Sequence, residues 1–512
     1  MSLRELVERA KAVLEKNWTG NYTIPSASLY PHQWNWDSGF IAIGNAYLDV
    51  RRSMKELEFL LSAQWKNGMV PHQVYEGDDS STYFPTPEFL DIHRSPDAPD
   101  GLSTSGMTQP PVLAIASHYV YEKARDKTEA EAFLRRVLPK IQAYHDYLLT
   151  VRDPEGSGAV TLIHPWESGM DNSPVWDGPL RRVRPRGLEA YRRVDLQFVD
   201  DPSERPDDEA YDRYVFLMQR LRDGAYDVGA LYDAYPFKVK DVGFTSILYA
   251  DCRFLLRIAE TLGEDTRAIR RRMERIKQNF RRNFCPGVEG DPLPYSFDVV
   301  AGEPILKRTV ASLLPLYAGL VPKETLKAFT ALLDGARFCG TSCHVQAVPS
   351  TGTDEASFTG QTYWRGPVWV NTNWMLYYGL LQYGVEEKAR EIREGIVQLV
   401  ETQGFREYFD PFTGEGYGAD DFSWTAALVI DLLLGRDTGV FGPGARAPGG
   451  AFPLAPHSPA QAGGARSRPA SAGGGPQSSS RRRRRALPMT ETEENVMAAL
   501  AMMGLSRRPK TG

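Results

Sequence analysis

The sequence predicts an all-α fold, an (α/α)6 barrel with long lid loops at one mouth and a disordered C-terminal tail. Three observations carry this. Up to Gly435 apolar residues recur at helical spacing, and alternating strand patterns are scarce. The helical segments come in two alternating kinds, one amphipathic and charged, the other apolar or small on most faces. A helix that is apolar all round is buried and an amphipathic one covers it, so six of each form a double ring. Finally, several of the apolar segments open on a cluster of polar and aromatic residues.

In chain order the segments are 3–17, 36–49, 51–65, 109–124, 129–151, 242–262, 266–283, 308–320, 322–334, 367–383, 385–402 and 422–434. Glu129-Ala130-Glu131-Ala132-Phe133-Leu134-Arg135-Arg136 typifies the covering kind, and Phe40-Ile41-Ala42-Ile43-Gly44-Asn45-Ala46-Tyr47 the buried kind. Gln33-Trp34-Asn35-Trp36-Asp37 opens the first buried helix and Thr108-Gln109-Pro110-Pro111 the second. Arg365-Gly366-Pro367-Val368-Trp369 opens a later one, and Asp421-Phe422-Ser423-Trp424 the last. Proline just inside a helix start, with Asp or Ser beside it, is an N-terminal signal. In a barrel of paired helices such starts share one end. One mouth is therefore expected to collect Trp34, Trp36, Asp37, Gln109, Arg365 and Trp369. The connections 66–108 and 152–241 are too long for plain links, and loops of that length serve as lids or binding loops.

Composition bounds the rest. Residues 1–435 are assigned to the barrel, and 436–512 to a low-complexity tail rich in Pro, Gly, Ala, Ser and Arg, including the run Arg481 to Arg485. Such a stretch buries too little apolar surface to offset its ordering entropy. From residue 437 onward there are 11 Lys/Arg against 4 Asp/Glu, which leaves 49 against 61, a net charge of −12, in residues 1–436. So acidic a body argues against nucleic acid as its main partner. No apolar run approaches the roughly 18 residues needed to cross a bilayer. Met1-Ser2-Leu3-Arg4-Glu5-Leu6 also lacks the apolar core of a signal peptide. The expected location is cytoplasmic, with no membrane partner; homo-oligomer formation is compatible with the sequence. Four cysteines (Cys252, Cys285, Cys339 and Cys343) are too few for a disulfide framework in so long a chain. Cys339, Cys343 and His344 lack a second cluster at zinc-site spacing, so no metal is expected.

The densest chemistry lies in His164-Pro165-Trp166-Glu167-Ser168-Gly169-Met170-Asp171-Asn172-Ser173-Pro174, inside the second long connection. An indole beside two carboxyls suits protonation of a sugar's leaving oxygen, because apolar faces raise a carboxyl's pKa. Asp171 or Glu167 fits that acid. An inverting glycosidase sets an acid against the leaving oxygen and a base against water. The second carboxylate should come from another loop at the same mouth. Glu407, in Phe405-Arg406-Glu407-Tyr408-Phe409-Asp410-Pro411 just before the last buried helix, is placed for it. Arg205, in the second long connection, reads by default as a solvated arginine and, in the functional reading, as an anion clamp, since guanidinium binds carboxylate in bidentate fashion. Phosphate-binding glycine motifs and a Gly-x-Ser-x-Gly nucleophile turn are absent.

Four motifs, in order, then resemble the bacterial branch of glycoside hydrolase family 63, and within it the hydrolases of mannosylglycerate and glucosylglycerate. They are Gln33 to Asp37, Trp166 to Pro174, Tyr363-Trp364-Arg365-Gly366-Pro367-Val368-Trp369, and Glu407 to Pro411. The resemblance spans residues 5–435 and not the tail. It implies an (α/α)6 barrel and hydrolysis with inversion, with Asp171 as general acid and Glu407 as general base. It places Trp34, Trp36, Asp37, Gln109, Trp166, Gly169, Trp364 and Trp369 around the sugar. Tyr30, Tyr83, Arg205, Tyr211 and Tyr363 fall around a glycerate moiety. It implies a small anionic glycoside as substrate and no cofactor. The sequence-level rivals are a trehalase-like or oligosaccharide α-glucosidase and, from another class, a non-catalytic sugar-binding scaffold.

Overall fold

The computed structural model describes residues 2–435 apart from 77–82, 198 and 200. In chain order its main helices are α1 (Leu3–Lys16), α2 (Asn35–Leu48), α3 (Val50–Ser62), α4 (Leu113–Lys123) and α5 (Lys127–Leu148). There follow α6 (Asp208–Asp223), α7 (Val242–Leu262), α8 (Arg267–Phe284), α9 (Pro315–Ala318), α10 (Lys323–Asp334), α11 (Val370–Gln382), α12 (Glu386–Gln403) and α13 (Ser423–Leu434). The helices α2, α4, α7, α9, α11 and α13 each pack on the next, and α13 closes the ring on α2. Outside them α1 lies on α13, α3 on α2, α5 on α4, α8 on α7 and α12 on α11. The sixth outer helix, α10, packs on the 3-10 turns Ala336–Phe338 and Gly340–Ser342. The fold is an (α/α)6 barrel.

Burial follows the two sequence types. Every residue of α2 from Asn35 to Ala46 is buried, whereas α8 buries only Ile269, Arg272, Ile276, Phe280 and Phe284. That spacing is a single helical stripe, with the other faces left to water. Near the C-terminal ends of the inner helices the buried carboxylate of Asp431 accepts hydrogen bonds from Tyr47 (2.5 Å), Trp374 (2.7 Å) and Tyr378 (2.7 Å), tying α2, α11 and α13 together. The opposite ends, where the inner helices start, carry the polar and aromatic clusters.

Two sequence expectations need correcting. The segment 308–320 is not one helix but a 3-10 turn, Val310–Leu313, followed by α9. Pro315 has no N–H to continue the turn, so it starts a new helix at its first position. The connection 152–241 is not only lid loop, since it contains the 16-residue α6, capped by Asp207, whose side chain accepts from the Ala210 N–H. Cys339 and Cys343 sit side by side with Cα atoms 5.1 Å apart, while Cys252 and Cys285 are free. Among the described residues no three His, Cys, Asp or Glu gather as a metal site, and no helix is long and apolar enough to cross a membrane. The tail from residue 436, with its arginine run, lies outside the described residues.

Candidate active site

Short strands aim the mouth of the barrel. Strand β1 (Gln33–Trp34) runs straight into α2 and pairs with β2 (Gln73–Tyr75), which pairs with β3 (Ser103–Thr104). This small antiparallel sheet fixes Trp34 at the cap of α2 and puts Trp36 and Asp37 in the first turn. Gln109, on the extended approach to α4, accepts the Trp36 backbone N–H at 3.3 Å. Burial, with the charges of Glu407 and Asp171 nearby, holds the Asp37 carboxyl well above its usual pKa. Trp36 forms a floor on which the backbone of Gly169 rests. A Cβ there would stand 2.4 Å from the indole, and the φ of +69° also requires glycine.

Gly169 ends the 3-10 turn Pro165–Ser168 and hands the chain to Asp171. The turn is tied throughout. His164 Nδ1 accepts the Trp166 N–H at 3.1 Å, and Ser168 Oγ accepts the Met170 N–H at 2.9 Å. Burial pushes His164 down to about 3, so its ring is neutral, accepting at Nδ1 and donating from Nε2 to the Tyr214 carbonyl at 3.1 Å. Asp171 faces the cavity. Burial chiefly, and the charge of Glu407, raise its pKa to about 7 against the pull of Arg205.

Glu407 reaches the same cavity from the segment before the last inner helix. It precedes β4 (Tyr408–Phe409), which pairs with β5 (Gly416–Tyr417) in a hairpin. The hairpin is fastened to the start of α11 by reciprocal Val368–Phe409 backbone bonds. Glu407 Oε1 accepts from the Tyr30 hydroxyl at 2.8 Å, and Oε2 from the Ala419 N–H at 3.0 Å. Gly418, at φ +67°, clears room for that carboxylate, which a Cβ would meet at 2.4 Å. Burial raises the pKa of Glu407, opposed first by Arg205. Arg205 donates from Nη2 to the Tyr30 hydroxyl at 3.1 Å, and its guanidinium lies 4.6 Å from the Tyr363 ring centre. The Tyr363 hydroxyl in turn sits 3.1 Å from that of Tyr30. Arg205 is only 8% exposed, yet its Nε and Nη1 have no hydrogen-bond partner among the described residues. The nearest carboxylate, Asp195, is 3.8 Å from Nε. Two buried N–H groups on a residue that lines the cavity are thus left without a hydrogen bond.

One cavity is lined by Tyr30, Trp34, Trp36, Asp37, Tyr83 and Gln109 from the first half of the mouth. Trp166, Gly169, Asp171, Arg205, Tyr211, Tyr363 and Glu407 complete the set that the sequence placed there. Trp364 and Trp369 do not line it. They stack on each other at 3.9 Å and 4° and stand behind Trp36 and Tyr363, each 1% exposed. Arg365 is also outside. It forms a bidentate pair with Asp177 and holds the Asn172 carbonyl at 3.0 Å, bracing the Asp171 turn from the far side. Glu167, the other acid candidate, is buried against Arg152 and does not reach the cavity. Sequence reasoning missed His72, Asp195, Phe422 and Trp424 as lining residues. The helix-opening motif Asp421 to Trp424 was a usable signal for the last two. His72 and Asp195 sit in segments with none.

The sequence matches the profile described as the mannosylglycerate hydrolase MGH1-like glycoside hydrolase domain over residues 30–425. It is 41% identical over 436 residues to the mannosylglycerate hydrolase of Rubrobacter radiotolerans, covering 84% of this chain and 97% of that one. It is 39% identical to the glucosylglycerate hydrolase of Mycolicibacterium hassiacum, covering 84% and 98%. The fold superposes with a TM-score of 0.77 on the crystal structure of the GH63 mannosylglycerate hydrolase of Thermus thermophilus in complex with Tris and D-glycerate. That relative is 40% identical, with 83% of this chain and 99% of that one covered. With an (α/α)6 barrel, two carboxyls lining one cavity at its mouth and this likeness along nearly the whole described chain, the protein belongs to the mannosylglycerate hydrolase MGH1-like glycoside hydrolase family.

Proposed function

We propose that the chain hydrolyses mannosylglycerate, and glucosylglycerate too, to hexose and glycerate with inversion at the anomeric carbon. The observation that carries this reading is Arg205, a buried cation with two unspent donors in a cavity that also holds Asp171 and Glu407. A sugar needs carboxyls and indole faces, whereas an anionic aglycone would give the buried guanidinium the close hydrogen-bonded partner that Asp195, 3.8 Å from Nε, does not. In the proposed reaction Asp171 gives its proton to the glycosidic oxygen as the bond from that oxygen to the anomeric carbon breaks. Glu407 takes a proton from the water whose oxygen bonds that carbon from the other face. A cytoplasmic location is part of the same proposal. The test is a panel of mannosylglycerate, glucosylglycerate, trehalose and a neutral glycosylglycerol, with the product anomer read by NMR at early times. The two glycerates should be the best substrates, with the inverted hexose appearing first. Preference for trehalose, retention, or binding without turnover would overturn the reading.

The pH profile follows from the two environments. Asp171 must be protonated and Glu407 ionised, so kcat/KM should fall above the pKa of Asp171, about 7, and fall again at acid pH. The acid limb should lie above the ordinary glutamate value, because burial raises Glu407. The two limbs report apparent constants of the coupled pair. A profile flat to pH 9 would contradict the role of Asp171.

A further inference from the structure

Glu167 and Arg152 are fully buried, and neither reaches the cavity. Both oxygens of Glu167 are engaged by the Arg152 guanidinium, Oε2 at 2.9 Å from Nη1 and Oε1 with Nη2. The same oxygens accept two backbone N–H groups, Ile163 at 2.9 Å and Thr108 at 3.4 Å. Arg152 is itself oriented by the Tyr147 hydroxyl, which accepts from Nε at 2.9 Å. One carboxylate therefore joins three pieces of chain: Ile163 just before the acid turn, the turn itself, and the extended segment whose next residue, Gln109, lines the cavity.

A buried ion pair is a poor source of stability. The desolvation cost takes back most of the attraction, and an apolar pair of similar size does as well or better. What a four-way hydrogen-bonded pair supplies is direction. We propose that Arg152 and Glu167 are positioning residues for the proton donor: they fix the 164–170 turn against the Thr108–Gln109 wall and so set where the Asp171 carboxyl meets the leaving oxygen. This rests on the reading of Asp171 as acid.

The proposal separates proton delivery from everything else the site does. A glycosyl fluoride has a leaving group that needs little protonation, whereas the glycerate oxygen needs a full proton. Glu167→Gln should lower kcat on mannosylglycerate by about 30- to 100-fold, as a misplaced reacting group does, while KM moves less than about threefold. On α-mannosyl fluoride the same variant should stay within about threefold of the parent. Glu167→Gln leaves Arg152 charged and unpaired in the core, which can prevent folding. The double variant Arg152→Met, Glu167→Leu removes the charges together and keeps the volume. It should fold, shown by an unchanged circular dichroism spectrum and a cooperative melt, at a temperature lowered by the two backbone N–H groups it leaves unpaired, and show the same split between substrates. Equal losses on both substrates, or no loss on either, overturn the positioning role. Asp171→Asn run alongside must itself keep fluoride turnover while losing the glycerate reaction. If it loses both, the acid assignment fails and the positioning role falls with it.

Discussion

Asp171→Asn and Glu407→Gln each lower kcat on mannosylglycerate by at least about 10³-fold, the upper range for removing a positioned acid or base. The two differ in what survives. Without Asp171 the reaction of a glycosyl fluoride persists, because the water is still activated by Glu407. Without Glu407 both substrates fail, because no base faces the attacking water. Stability moves the other way for Asp171. Its folded pKa, about 7, stands above the ordinary aspartate value of 3.8, so between those pH values the folded chain binds the proton more tightly than the unfolded one. Folding stability therefore drops as pH rises through this window, and the whole cost is present at neutral pH. Asn carries no such cost. Asp171→Asn should be more stable than the parent at pH 7–8 by roughly 1–2 kcal/mol, with the difference fading below about pH 4. Calorimetry at both pH values, beside the activity assay, separates an inactive folded enzyme from a misfolded one.

The barrel was legible because its two helix types differ in composition: a helix such as α13, buried from Ser423 to Leu433, is not mistaken for α8 with its single apolar stripe. What escaped was set by single residues or by folding in three dimensions. The helix α6 had its signals in plain view, an Asp207 cap and apolar residues at Tyr211, Tyr214, Val215, Met218 and Leu221. Its charged first turn made it look like lid loop. In the motif from Tyr363 to Trp369, adjacency said that aromatics cluster but not which of them face the cavity. Tyr363, at φ +35°, turns its ring under Arg205 and leaves Trp364 and Trp369 behind. Asp171 and Glu407 could be named from their motifs. That Tyr30 and Arg205 would form a chain of hydrogen bonds ending on Glu407 could not, because it depends on the lid meeting the hairpin.

Arg205→Met should cost the anionic substrates about 30- to 1000-fold in kcat/KM, the loss of a charge-assisted pair in a buried site, and appear mainly in KM. Met keeps an aliphatic side chain at this position and removes the guanidinium with its charge and donors. A neutral glycosylglycerol never uses those donors, so its KM should change little, and the preference for glycerate over glycerol aglycones should collapse. The variant has a second signature. Arg205 holds down the pKa values of both Asp171 and Glu407 and donates to Tyr30, which donates to Glu407. Removing the cation raises both carboxyls, so the bell-shaped pH profile should shift as a whole to higher pH, with either substrate. Adding free glycerate distinguishes the two effects: it should inhibit the parent competitively and the variant far less. If Arg205→Met lost neutral and anionic substrates equally while keeping its inhibition by glycerate, Arg205 would be a prop for Tyr30 and Glu407, and the anionic aglycone would have to be held by another group.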